Sequence, residues 1–184
     1  MGKKRVFVAI DISSEARDAV SSYIDRLCSK YPEVRARWVP PGNLHLTVRF
    51  VGHVDEAALG ALGRCVDRVT REYDAFTLTL AGTGNFARRK IRADALWIGA
   101  TGDTDVLANI AAGLDEDTHR KHIPHLTIAR IKDARQAKDL VAEHLRSIFG
   151  PISFPIDEVL IYESTLKPTG PVYSVLSRHR LGRR

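Results

Sequence analysis

His45-Leu46-Thr47-Val48 and His125-Leu126-Thr127-Ile128 carry histidine, leucine, threonine and a β-branched apolar residue in the same order. The copies lie at positions 45 and 125, an offset of 80 residues in a chain of 184. That spacing predicts a duplicated unit with one histidine per half. The halves are expected to face each other across a cleft and to bring two imidazoles to one phosphate.

In a strand, side chains alternate between faces. Leu44, Leu46 and Val48 therefore share a core-directed face, and His45 and Thr47 share the other. Leu126 and Ile128 stand in the same relation to His125 and Thr127. A lone His-x-Thr is usually a half-exposed surface pair. Two copies, each in a plausible strand and each followed by a helix, weigh against that reading.

The remaining sequence supports a repeat. Val6 to Ile10 is an almost continuous apolar run, expected as a central strand. Ser13 suits a helix N-cap, and Ala16, Val20, Tyr23, Ile24, Leu27, Cys28 and Tyr31 follow at helical spacing. A short strand at 35–39 and the Pro40-Pro41-Gly42-Asn43 turn deliver the first motif strand, which is expected to end at Gly52. Asp55 caps a second helix, and Phe76 to Leu80 alternates as a half-buried strand that Gly82-Thr83-Gly84-Asn85 is expected to break. The second half repeats the order. A strand at 95–100 holds Trp97, and a helix carries Val106 to Leu114. The motif strand follows Pro124, a helix opens at Asp133, and strands are expected at about 152–162 and 172–179. The whole chain, 1–184, is read as a single bilobal domain with sequence halves of roughly 1–85 and 92–184.

Apolar residues make up 44% and charged residues 27%, ordinary for a globular chain. Net charge is +6, from 28 basic and 22 acidic side chains, which fits a polyanionic partner. Arg88, Arg89, Lys90 and Arg92 form a basic loop between the halves that could guide a nucleic-acid strand. Cys28 and Cys65 sit at apolar helical positions and are read as reduced core residues. No stretch reaches membrane-spanning length, and a cytoplasmic protein is expected.

Cleaving a phosphodiester requires an activated nucleophile and a protonated leaving oxygen. One neutral and one protonated imidazole supply both. Residue spacing leaves open which histidine is the acid. The Thr47 and Thr127 hydroxyls can hold non-bridging phosphate oxygens. A strained 2′,3′-cyclic phosphate suits this equipment, because its leaving group stays tethered. His119, His122 and His125 form an alternative, metal-binding reading, H-x-x-H-x-x-H. Pro124 breaks any helix that would align them, so no metal or other cofactor is expected.

These residues together resemble the RNA 2′,3′-cyclic phosphodiesterases, also called 2′–5′ RNA ligases, of the two-histidine phosphoesterase superfamily. The resemblance runs over Arg5 to Asp11, Trp38 to Gly52, Pro124 to Arg130, and Glu163 through Tyr173. It implies a bilobal α+β fold with pseudo-twofold duplication, an antiparallel sheet with helices in each lobe, and an active-site groove between them. It implies His45 as proton donor to O3′, His125 as proton acceptor from water, and phosphate binding by Thr47 and Thr127. The implied partner is RNA with a 2′,3′-cyclic phosphate end, or a small cyclic nucleotide, with no obligate protein partner and ligation as the reverse reaction.

Phe50 and Arg130 each stand five positions beyond their motif histidine. Pseudo-symmetry would bring ring and guanidinium to opposite sides of a base. Strict alternation points both away from the motif face, so this needs a bulge or a twist at the strand end. The plainer alternative is a core Phe50 and an ion-paired surface Arg130. A non-catalytic RNA-binding module, using the basic loop and the tail from Arg178, is the competing function.

Overall fold

The computed structural model describes residues 2–89, 92–114, 123–168 and 170–182, with backbone alone at 87–89 and 92–94. Lys90, His119 and His122 lie outside the described residues, as do the side chains of Arg88, Arg89 and Arg92. The basic loop and the three-histidine reading are therefore not placed.

Among the described residues, nine strands and four α-helices follow one another as β1 (Lys4–Asp11), α1 (Ser14–Lys30), β2 (Ala36–Trp38), β3 (His45–Val54), α2 (Glu56–Thr70), β4 (Phe76–Arg89), β5 (Arg92–Gly102), α3 (Thr104–Leu114), β6 (His125–Ile131), α4 (Lys138–Arg146), β7 (Ile152–Ile156), β8 (Glu158–Lys167) and β9 (Gly170–Arg180). The fold is α+β. All pairings are antiparallel, in the order β7-β4-β5-β6-β3-β1-β8-β9, with β2 also on β6. The predicted caps hold: Ser13 and Asp55 accept from the backbone N–H groups of Ala16 and Ala58.

The repeat is present, but its parts are exchanged between lobes. β1-α1-β3-α2-β4 in the first half matches β5-α3-β6-α4-β8 in the second. Yet β4 pairs with β5 of the second repeat, and β8 pairs with β1 of the first. The helices that precede the motif strands are exchanged too. α1 packs on β7, and its Arg26 and Tyr31 reach Glu143 of α4 at 2.8 and 2.7 Å. α3 packs on β3 and α2. The sequence halves are thus interleaved within one nine-stranded sheet, and neither half supplies a lobe of it alone.

Other boundaries also differ from the sequence reading. The Gly82–Asn85 stretch does not break its strand. β4 runs through it with a shift in register between Leu80 and Thr83, and Gly82 takes φ +71° there. Gly52 lies inside β3, again with positive φ. The 152–162 stretch is two strands separated at Asp157, and α4 starts at Lys138 rather than Asp133. Cys28 is exposed rather than in the core, at the edge of the apolar stripe of α1.

The main core fills the space between helices and sheet. From β1 it takes Val6, Val8 and Ile10. The opposite face of β1 supplies Phe7 and Ala9 to a second cluster with Leu160 and Tyr162. β1 is therefore buried on both faces, which explains its unbroken apolar run. That second cluster floors one side of the concave face of the sheet.

Candidate active site

The two lobes meet where β3 and β6 pair at Leu46 and Leu126. Both leucines are buried in the main core. Neighbours of a bridged pair point to the other face. His45, Thr47, His125 and Thr127 therefore surround this joint on the concave face, two from each lobe.

Both histidines are oriented the same way. His45 Nδ1 lies 2.7 Å from the Asn43 carbonyl, and His125 Nδ1 lies 2.7 Å from the Ile123 carbonyl. A carbonyl oxygen only accepts, so each Nδ1 carries a proton and each Nε2 faces away from that bond. Thr47 Oγ1 is 3.1 Å from His45 Nε2. The turn before β3 is fastened by Arg17, whose guanidinium donates to the carbonyls of Pro41 at 2.5 Å and Leu44 at 3.4 Å.

The surroundings of the rings differ. His45 sits among Phe7, Tyr173 and Tyr162, at centroid distances of 4.9, 5.3 and 6.2 Å. Asp11 pairs with it across the strands and accepts from the Tyr162 hydroxyl at 2.6 Å. His125 lies against Phe86 and Trp97, at 4.6 and 6.3 Å. Phe7, Asp11, Tyr162 and Phe86 escaped the sequence reading of the site. The parity of β1, which puts Phe7, Ala9 and Asp11 on one face, could have exposed two of them.

Each motif strand carries the bulge that the base-sandwich idea needed. Val8 and Ala9 pair with Arg49 and Thr47, leaving Val48 as an extra residue. Leu96 and Trp97 pair with Ala129 and Thr127, leaving Ile128 as the extra residue. One inserted residue reverses the alternation beyond it. Phe50 and Arg130 are thereby returned to the histidine face. Phe50 is 71% exposed, not in the core, and its ring is 6.3 Å from that of Phe7. The charge of Arg130 acts on the Tyr173 hydroxyl from the other lobe. Arg49 turns the opposite way and donates to the Leu114 carbonyl of α3.

Burial holds His45 below the usual histidine pKa, against the opposing pull of the Asn43 carbonyl and Asp11; the His125 charge adds to the lowering. His144 is lowered by burial as well. An unfolded chain thus binds protons near pH 6.5 that the folded one does not. Stability is therefore expected to be lost as pH falls below about 6.5. A Tm series over that range should slope downward on acidification, and His45→Gln with His144→Gln should flatten it. An unchanged slope in the double variant would place the acid sensitivity elsewhere.

Two facing strands with matching histidine-x-threonine faces, folded as interleaved repeats, define a two-histidine phosphoesterase. The family profile described as LigT-like phosphoesterase matches residues 10–97 and 100–173, and the chain belongs to that family. A Thermotoga maritima protein named RNA 2′,3′-cyclic phosphodiesterase is 35% identical, over 94% of this chain and 92% of its own. A protein of the same name from Methanothermobacter thermautotrophicus is 31% identical, over 97% of this chain and 100% of its own. Crystal structures of E. coli LigT superpose with a TM-score of 0.77 in the apo form, at 26% identity with both chains fully covered. The complex with 3′-AMP gives 0.74 at 28% identity, covering 98% of this chain and 99% of the other.

Proposed function

We propose that this protein opens 2′,3′-cyclic phosphate ends of RNA to 2′-phosphate ends, without a metal ion. The carrying observation is the matched pair of imidazoles, each with Nδ1 tied to a carbonyl two residues back. His125 Nε2 takes a proton from water as the oxygen attacks phosphorus. The P–O3′ bond breaks, and His45 Nε2–H protonates the departing O3′. Thr47 and Thr127 hold the non-bridging oxygens, and Phe50 and Arg130 enclose the base. Burial disfavours the protonated form of His45 in the free protein, and the charge of a bound phosphate works against that lowering. With an RNA 5′-hydroxyl in place of water, the same steps in the same direction join ends through a 2′–5′ linkage. High water concentration makes hydrolysis the main outcome.

A cytoplasmic RNA substrate fits the basic composition. Among the described residues no helix is long and apolar enough to cross a membrane. The test is incubation of RNA ending in a 2′,3′-cyclic phosphate, with and without EDTA, and identification of the end group. A 2′-phosphate formed equally in both is expected. Binding without turnover would favour an RNA-binding module, and loss in EDTA with recovery in zinc would favour the metal reading through His119, His122 and His125.

A further inference from the structure

At the end of β1 remote from His45, Lys3, Arg5 and His53 line an open hollow of about 260 Å³ together with Glu163, Ser164 and Leu166. Arg5 and His53 are a cross-strand pair, so their side chains share a face. Along β1 that face is the one of Phe7, Ala9 and Asp11. It is therefore the face that carries His45. Lys3, Arg5 and His53 are exposed. Glu163 is the acidic group of the hollow, and it is held by Lys4 at 3.9 Å. Two cations of the lining, Lys3 and Arg5, thus stand against one carboxylate that Lys4 already partly neutralises. Leu166, 68% exposed, adds an apolar surface beside them.

The hollow is connected to the catalytic centre by an aromatic row. Phe7 touches His45 at one end and Phe50 at 6.3 Å on the other, and Tyr173 packs on Phe7 at 4.9 Å. The charge of Arg5 acts on the Tyr173 hydroxyl. Asp11, the partner of His45, lies six positions along β1 from Arg5, at most about 20 Å of extended strand. A cyclic phosphate marks a 3′ end, so every other phosphate of the RNA lies on its 5′ side. The strand must leave the histidines in one direction, and alternating aromatic and cationic side chains are what a single strand follows.

We propose that the Lys3, Arg5 and His53 hollow binds a backbone phosphate of the RNA, a few nucleotides upstream of the cyclic end. This rests on the function proposed above and narrows it. The substrate class becomes an RNA strand of several nucleotides rather than a free cyclic nucleotide. The guanidinium and ammonium supply charge-assisted donors to the phosphate, and Leu166 packs against the adjoining ribose or base.

The test compares affinity for a pentanucleotide ending in 2′-phosphate with affinity for a single nucleoside 2′-phosphate. Arg5→Gln should weaken the pentanucleotide about tenfold relative to the mononucleotide. The log–log salt slope for the pentanucleotide should shrink by about 0.7, one phosphate contact on a single strand. Lys3→Gln with His53→Gln, on other parts of the same rim, should move both readings the same way. Equal weakening of both ligands, or of neither, with an unaltered salt slope, would overturn the assignment. A protein that shows the Arg5 dependence but leaves cyclic phosphate ends intact would keep the binding site and refute the proposed reaction instead.

Discussion

His45→Ala and His125→Ala are each expected to lower kcat/KM on a 2′,3′-cyclic phosphate end by roughly 10²–10⁴. The double variant should lose far less than the product of the two factors, because acid and base act on one transition state. RNA affinity should change little, since each ring's Nδ1 is bound to the protein and, in the proposed reaction, the imidazoles would meet only the one phosphorus group. Leaving-group chemistry separates the two roles. Replacing O3′ with sulfur gives a departing atom that needs no proton. Turnover of the 3′-thio substrate should recover in His45→Ala and stay low in His125→Ala. The opposite pattern would exchange the roles and would agree with the lowered pKa of His45, which favours the neutral ring. Either single variant retaining more than a small fraction of turnover would take its imidazole out of the chemistry.

The tetrapeptides were legible because alternation and repetition are local. Leu46 and Leu126 are buried and pair with each other, and the polar positions fall on the opposite face. The exchange of β4 and β8 was not legible, because swapped and unswapped repeats bury the same positions. The extra residues Val48 and Ile128 were hidden for a related reason. Both are apolar and core-packed, so nothing in their chemistry marks a change of parity. Only pairing across strands shows it, and the parity is what puts Phe50 and Arg130 on the histidine face. Glycine was misleading in the other direction. Gly84 looks like a strand breaker by composition, whereas its missing side chain makes room for a ring.

That ring gives a large structural effect. A Cβ at Gly84 would lie 2.2 Å from Trp97 Cζ2 and Cη2, closer than real Cβ contacts come. The strands beneath cannot easily part. His144 Nε2 is shared by the carbonyls of Gly84 and Trp97, each at 3.1 Å, and its Nδ1 meets the Tyr23 hydroxyl at 2.9 Å. His144 is fully buried, so sliding a strand away would leave it unsatisfied. The indole must move instead, and Phe86 and His125 lie against it. Gly84→Ala should therefore cost about 1–3 kcal/mol from overpacking, a Tm lower by roughly 2–12 °C. It should also lower kcat, as the displaced ring disturbs His125. Trp97→Leu removes the atoms that collide, so Gly84→Ala should cost much less in that background, and the double-mutant cycle should show strong coupling. Additive losses would mean that Gly84 and the indole do not meet. The rigid wall beside His125 would then have to be sought in Phe86 alone.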